Sequence, residues 1–214
     1  MRRLLAPGAN LRRRSEPRRR IIIEFLGPSG AGKTTLISRT EDQFTNTQRV
    51  MARNTPSTPW RQRLWLATMG LCHPGLLAFA AWKGGRRSLG LAADLAGRTR
   101  RVRRVKGPRI ALIDEGPWHL VTYARARGVE LPTTRIPAPS AFVIVDLDPK
   151  LATDRAARRI GLSPSAAERN LQLAKDYSVL VRGIARSTGR PIITPEELPA
   201  FLGSSCESFD TPTS

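Results

Sequence analysis

Six residues of strongly apolar character, Ile21-Ile22-Ile23-Glu24-Phe25-Leu26, run directly into Gly27-Pro28-Ser29-Gly30-Ala31-Gly32-Lys33-Thr34. A short β-branched run that stops at a glycine has the pattern of a strand buried inside a parallel sheet. A helix is expected to follow, from Lys33 to about Phe44. Between the two, the glycines let the backbone curl so that successive N–H groups face one point, where the helix also presents its positive end. This order of strand, glycine loop and helix builds an anion site and limits the chain to a few architectures.

The spacing narrows the anion further. The segment matches G-x-x-x-x-G-K-[ST] in the strand-to-helix setting that this motif requires, so the expected ligand is a nucleoside triphosphate, ATP with Mg²⁺. Gly27, Pro28, Ser29, Gly30, Ala31, Gly32, Lys33, Thr34 and Thr35 form the expected nucleotide-binding set, with the backbone of residues 29–32 cradling phosphate. Lys33 is expected to reach the β- and γ-phosphates, and the Thr34 hydroxyl to hold magnesium.

Two further runs behave like the first: Arg109-Ile110-Ala111-Leu112-Ile113 before Asp114, and Ala141-Phe142-Val143-Ile144-Val145 before Asp146. Residues 191–194 form a shorter candidate. Strands that alternate with helical stretches predict an α/β fold with a parallel sheet. In such a sheet the carboxyl ends of the strands open onto the ligand crevice, which makes Asp114 the second expected magnesium anchor. Glu115 is a candidate proton acceptor beside it, with a structural role as the open alternative.

The 214 residues suit a single domain, and the net charge is +19. So basic a chain attracts polyanions or acidic lipid, with strong salt dependence. Residues 1–20 carry eight arginines and little apolar content, the composition of a disordered basic tail. Residues 203–214 have the composition of a disordered polar tail. Cys72 and Cys206 offer neither a disulfide framework nor metal-ligand spacing, in keeping with a reducing, cytoplasmic setting. Residues 64–82 contain no charged side chain but are interrupted at His73-Pro74-Gly75. That break predicts a hairpin of two short helices packed on the core, with peripheral membrane contact as the alternative and no transmembrane span expected.

Arg155, Arg158 and Arg159 follow Asp148-Pro149 on an expected helix and are candidates to close over the γ-phosphate, where a guanidinium neutralises developing charge. The cluster Arg98, Arg100, Arg101, Arg103, Arg104, Lys106 and Arg109 reads as an exposed helix end. Trp60, Trp65, Trp82 and Trp118 read as core or interface rather than as a stacking platform.

Taken in order, these features resemble the thymidylate kinase-like branch of the P-loop nucleoside and nucleotide kinases, over residues 21 to about 197. The likeness rests on residues 27–34, the strand-end Asp114, and Val143-Ile144-Val145-Asp146-Leu147-Asp148-Pro149 followed by Ala152, Arg155, Arg158 and Arg159. It implies a three-layer fold with about five parallel strands and helices on both faces; the helical insertion expected over residues 56–107 departs from the family, and the acceptor site is expected to be built partly from it. It also implies an arginine lid, a long helix through Glu168, Arg169, Lys175, Asp176, Tyr177 and Leu180, and an adenine-side loop at residues 191–195. Arg53 is the implied acceptor-binding arginine. Where the family has an aspartate-arginine pair this chain has Asp114-Glu115, and an acid there suits a neutral hydroxyl better than a phosphorylated acceptor.

The resulting expectation is a P-loop kinase that passes the γ-phosphoryl of ATP to a small-molecule acceptor, a nucleoside, nucleotide or sugar-like hydroxyl. An ATPase or nucleotide-gated interaction protein at a membrane or nucleic-acid surface is the second reading. Against its transporter form, no Leu-Ser-Gly-Gly segment precedes Asp114.

Overall fold

A computed structural model of the chain describes residues 20–51, 74–105 and 110–210. The strands are β1 (Ile21–Leu26), β2 (Thr47–Met51), β3 (Ile110–Asp114), β4 (Ala141–Ile144) and β5 (Ile192–Ile193). The helices are α1 (Lys33–Gln43), α2 (Pro74–Arg103), α3 (Pro117–Ala126), α4 (Pro149–Ile160), α5 (Pro164–Ser187) and α6 (Leu198–Asp210). The strands form one sheet in the order β2-β3-β1-β4-β5, and every neighbouring pair is parallel.

Alternation along the strands divides the core in two. Ile21, Ile23 and Phe25 of β1 share one face with Ile110, Leu112, Ala141 and Val143, covered by Ile37 of α1 and by Leu198 and Leu202 of α6. On the other face, Leu26, Phe142 and Ile144 meet Leu95 of α2, Trp118 and Val121 of α3, and Tyr177 and Val181 of α5. Trp118 belongs to this core, edge-on to Phe142 with centroids 6.2 Å apart, and its indole N–H donates to the carbonyl of Pro137. Burial of each such side chain contributes roughly 1.5–3 kcal/mol. The same alternation places Glu24, between Ile23 and Phe25, on the Leu26 face beneath the helices.

Pairing of β1 with β3, Ile21 opposite Ile110 and Glu24 opposite Ile113, brings the two loops that leave their carboxyl ends side by side. The chain continues from β1 to the β2 side of the sheet, while β4 lies on the other side of β1. A parallel sheet has its crevice at that divergence.

Some expectations are corrected. After Pro74 the chain forms one 30-residue helix, α2, instead of a short arm of a hairpin; in its second half Ala92, Ala93, Leu95, Ala96 and Val102 form a buried stripe. Residues 64–73 lie outside the described residues. The segment expected as a polar tail from Gly203 is helical as far as Asp210, as the continuation of α6, which Leu198 and Leu202 anchor in the core. The basic tail up to Arg19 is outside the described residues. No helix among the described residues is long and apolar enough to cross a membrane.

Helix α4 is fixed at both ends: Asp148 caps it by accepting from the N–H of Leu151 at 3.0 Å, Pro149 opens it and Gly161 closes it in a left-handed conformation. Its second turn packs on the glycine loop so closely that a Cβ on Gly30 would stand 2.1 Å from the carbonyl oxygen of Ala152. Gly30 also has φ +86°. Gly30→Ala is therefore expected to destabilise the fold by at least about 1–2 kcal/mol, read by denaturant unfolding; unchanged stability would show that α4 does not rest on the loop.

Candidate functional site

The glycine loop closes around its own lysine. Lys33 Nζ donates to the carbonyl oxygens of Gly27, at 2.7 Å, and Pro28, at 2.9 Å. Positive φ angles at Gly27, Gly30 and Gly32 produce the curl. Lys33 is only 7% exposed. Burial brings its pKa down from 10.5 to about 8, against the pull of Asp114 and Glu115 and with a small push from Arg159. The ammonium is thus largely buried, with carbonyl dipoles as its partners.

Asp114, at the end of β3, is buried, and its Oδ2 accepts from Thr34 Oγ1 at 3.1 Å. The same oxygen forms an ion pair with Arg49 Nη2 at 2.8 Å. Hydroxyl and carboxylate oxygens are the hard donors that suit Mg²⁺, which takes few protein ligands when phosphates supply others. Thr34 and Asp114 fit that role as a pair, and no cluster of three or more acidic, His or Cys ligands occurs among the described residues. Arg49 was not among the expected site residues, and the expected acceptor residue Arg53 lies outside the described residues.

A cavity of about 220 Å³ opens over the loop, lined by Ser29, Gly30, Gly32, Lys33, Thr34 and Thr35, by Asp114 and Glu115, and by Arg155 and Arg159 from α4. Two of the three expected lid arginines therefore reach the loop. Arg158 is exposed, donates to the carbonyl of Asp154 in its own helix and is not among the residues that line this cavity.

The turn after β3 is held from two directions. Glu115 is the one non-glycine residue with positive φ among the described residues, at 51°. Arg98 of α2 reaches it: Nη1 donates to the carbonyl oxygens of Glu115 and Gly116, and Nη2 pairs with Asp94 at 2.8 Å. Beneath the turn, Glu24 Oε1 accepts from the N–H of His119 at 2.8 Å. Gly116 is the N-cap of α3 and offers no side-chain cap, so Glu24 from the neighbouring strand serves that helix end. The approach is tight, since a Cβ on Gly116 would fall 2.4 Å from the Glu24 carboxyl carbon.

A second cavity, of about 330 Å³, lies on the other side of Glu115. Asp94 and Arg98 of α2, His119 and Tyr123 of α3, and Asn170 and Tyr177 of α5 contribute its polar groups, with Leu91, Leu120 and Leu173 between them. Ser29, Lys33 and Glu115 line both cavities. Tyr177 joins this chamber to the loop: its hydroxyl accepts from the N–H of Gly27 at 3.3 Å and bonds His119 Nδ1 at 2.9 Å. Burial raises the phenol well above its ordinary value, so the hydroxyl keeps its proton.

The basic cluster is not an exposed helix end throughout. Arg98 is 4% exposed, because it follows Asp94 by one helical turn and points with it into the protein. Arg101 Nη1 donates to the carbonyl of Met51 and Arg103 Nη2 to that of Arg135. The sequence held signals for two of the overlooked residues. Asp94 is the only acid between Asp42 and Asp114, and Glu24 is the lone charge in an apolar strand.

No family model matches the sequence, and no curated protein matches it. Solved structures do resemble it. Deoxyadenosine kinase from M. mycoides with bound dATP is 13% identical with a TM-score of 0.52, over 81% of this chain and 90% of that one. The same enzyme with dCMP and dCDP gives 0.54 at 13% identity, over 86% and 100%. Thymidylate kinase from Candida albicans gives 0.53 at 13% identity, over 89% and 92%. The fold is that of the P-loop nucleoside and nucleotide kinases.

Glu24 yields a pH signature. Desolvation raises its pKa from 4.5 to about 8, opposed by the N–H groups of His119 and Trp118 and by Arg98. Between these values the unfolded chain gives up the proton while the folded chain keeps it. The contribution of Glu24 to stability therefore falls as pH rises from about 4.5 to about 8, and is level above. Unfolding titrations are expected to show a loss of a few kcal/mol across that window in the native chain but not in Glu24→Gln, whose amide oxygen still accepts. The same slope in both proteins would contradict this account.

Proposed function

We propose that the protein is a phosphotransferase that moves the γ-phosphoryl group of ATP onto a hydroxyl of a small-molecule acceptor. One observation carries the reading: a phosphate-loop cavity and a second, mixed polar and apolar cavity share Ser29, Lys33 and Glu115 as a common wall. A donor in one and an acceptor in the other meet at that wall, and bringing two reactants together is where most of such a catalyst's power lies.

In this reading the N–H groups of residues 29–32 bind the donor's phosphates, and Lys33 exchanges its two carbonyl partners for phosphate oxygens. Thr34 and Asp114 would hold magnesium, whose charge offsets that of the β- and γ-phosphate oxygens. Arg155 and Arg159 stand where the transferred group passes and neutralise its charge; Arg158 is the weaker candidate, since it does not line that cavity. The acceptor oxygen forms a bond to the γ-phosphorus as the bond to the β–γ bridging oxygen breaks, ADP departs, and Glu115 takes the hydroxyl proton. The kinases named above lend support by fold. A cytoplasmic setting, where ATP is at hand, accords with the reading. Polyanion or acidic-membrane contact does not form part of it.

Incubation with γ-labelled ATP, Mg²⁺ and a panel of nucleosides, nucleotides and sugars is expected to place label on an organic acceptor, with turnover reduced about 10²-fold or more in a folded Lys33→Ala protein. Label found in free phosphate alone would replace the kinase reading with an ATPase, and full turnover in Lys33→Ala would remove the loop from the chemistry.

A further inference from the structure

Tyr177 stands between the two cavities, in a place that the transfer step does not use. On the premise of the phosphotransferase reading above, we infer that Tyr177 is a positioning residue for the phosphate loop: its phenol, aimed by Nδ1 of His119, fixes the peptide at Gly27 from which the loop turns, and so raises the affinity for nucleotide.

The peptide group between Leu26 and Gly27 is the last one before the curl, and both of its polar atoms are held. The Leu26 carbonyl accepts from the N–H of Val145 at 2.8 Å, and the Gly27 N–H donates to the Tyr177 hydroxyl at 3.3 Å. The first bond continues the sheet, whereas the second comes from α5, 150 residues along the chain. The next carbonyl, that of Gly27, receives Lys33 Nζ. A peptide plane fixed at both ends sets the direction of those that follow, and binding groups fixed before the ligand arrives lose less freedom when it does. Tyr177 is not among the residues that line the cavity over the loop, so its effect there passes through Gly27.

The phenol is aimed by its single proton. Burial keeps the hydroxyl protonated. A backbone N–H can only donate, so Gly27 takes a lone pair of the phenol oxygen and the phenol proton goes to another partner. Nδ1 of His119 lies at 2.9 Å. Thr122 also faces the phenol, but it gives its own proton to the carbonyl of Trp118 and so adds no second donor. The imidazole nitrogen is the more basic acceptor of the two. His119 thus accepts at Nδ1 and carries its proton on Nε2. The imidazole is itself anchored, since the backbone N–H of His119 donates to Glu24 of β1 and its ring lies 5.3 Å from that of Tyr177. Both residues line the second cavity, so its contents adjoin the pair that sets the loop.

Calorimetric titration with ADP and Mg²⁺ tests the role. Tyr177→Phe, which keeps the ring in the core, is expected to bind ADP at least about fivefold more weakly than the native chain, the effect of one lost hydrogen bond. His119→Leu is expected to fall by a similar factor, whereas His119→Asn, whose amide oxygen takes the place of Nδ1, stays within about twofold of the native affinity. Tyr177→Phe combined with His119→Leu is expected to bind no more weakly than Tyr177→Phe alone, because both remove the same contact. Equal affinity in Tyr177→Phe and the native chain, or a loss in His119→Asn as deep as in His119→Leu, would overturn the inference and leave the phosphotransferase reading standing; no ADP binding by the native chain would overturn both. A second arm reads the native protein without regard to affinity. The chain has two histidines, His73 and His119, so the imidazole ¹⁵N shifts report their protonation, and the signals lost in His119→Asn identify the ring. At about pH 7.5 His119 is expected to carry its proton on Nε2 with Nδ1 bare; a proton on Nδ1 would overturn the inference.

Discussion

Lys33 lies in the first turn of α1 with its ammonium enclosed by the loop that precedes it, and the surrounding structure follows from keeping it there. A buried ammonium with carbonyl partners in place of water is held at a cost. Burial takes its pKa to about 8, although Asp114 and Glu115 pull the other way. The glycine φ angles let the loop carbonyls of Gly27 and Pro28 turn inward to meet it. Pairing of β1 with β3 then sets Asp114 within a hydrogen bond of Thr34, the next residue along. Loop, helix start and acidic strand end are thus one unit.

Around this unit the helices form two walls. On one side α4 packs on Gly30 and brings Arg155 and Arg159 over the loop. On the other, α2, α3 and α5 enclose the second chamber. Two buried side chains fix the seam between them: Glu24 serves the N-terminal end of α3 from below, and Arg98 grips the carbonyls of residues 115 and 116 from the side. The left-handed backbone of Glu115 costs of order 1 kcal/mol and persists because both neighbours hold it.

The layers of the fold were legible in the sequence because parallel strands buried on both faces read as unbroken apolar runs, and β1, β3 and β4 do so within a residue of their observed ends. The loop was equally legible, since its function depends on glycine and lysine at fixed spacing. The position of Arg155 and Arg159 beside the loop followed from their place after Asp148-Pro149, while Arg158, which does not line the loop cavity, did not separate from them by pattern alone. The second chamber was hidden for a different reason. Its groups come from α2, α3 and α5, far apart in the chain, and each has an ordinary local explanation. Arg98 looked like one more arginine of a basic helix end until its turn-apart partner Asp94 and the carbonyls of the 115–116 turn came into view. Pro74 looked like a break between short helices, whereas it opens a long one whose apolar stripe packs on the sheet.

The account depends most on the claim that Lys33 is held partly desolvated until phosphates replace its carbonyl partners. Such an exchange restores the ammonium's preference for its proton, so nucleotide binding must be linked to proton uptake above the pKa of the empty site. Calorimetric titration with ADP and Mg²⁺ at about pH 9, in two buffers of different ionisation enthalpy, measures that uptake. The account predicts uptake of a substantial fraction of a proton per nucleotide bound at that pH, and less at about pH 7. Binding at about pH 9 without proton uptake, or no binding at all, would contradict it.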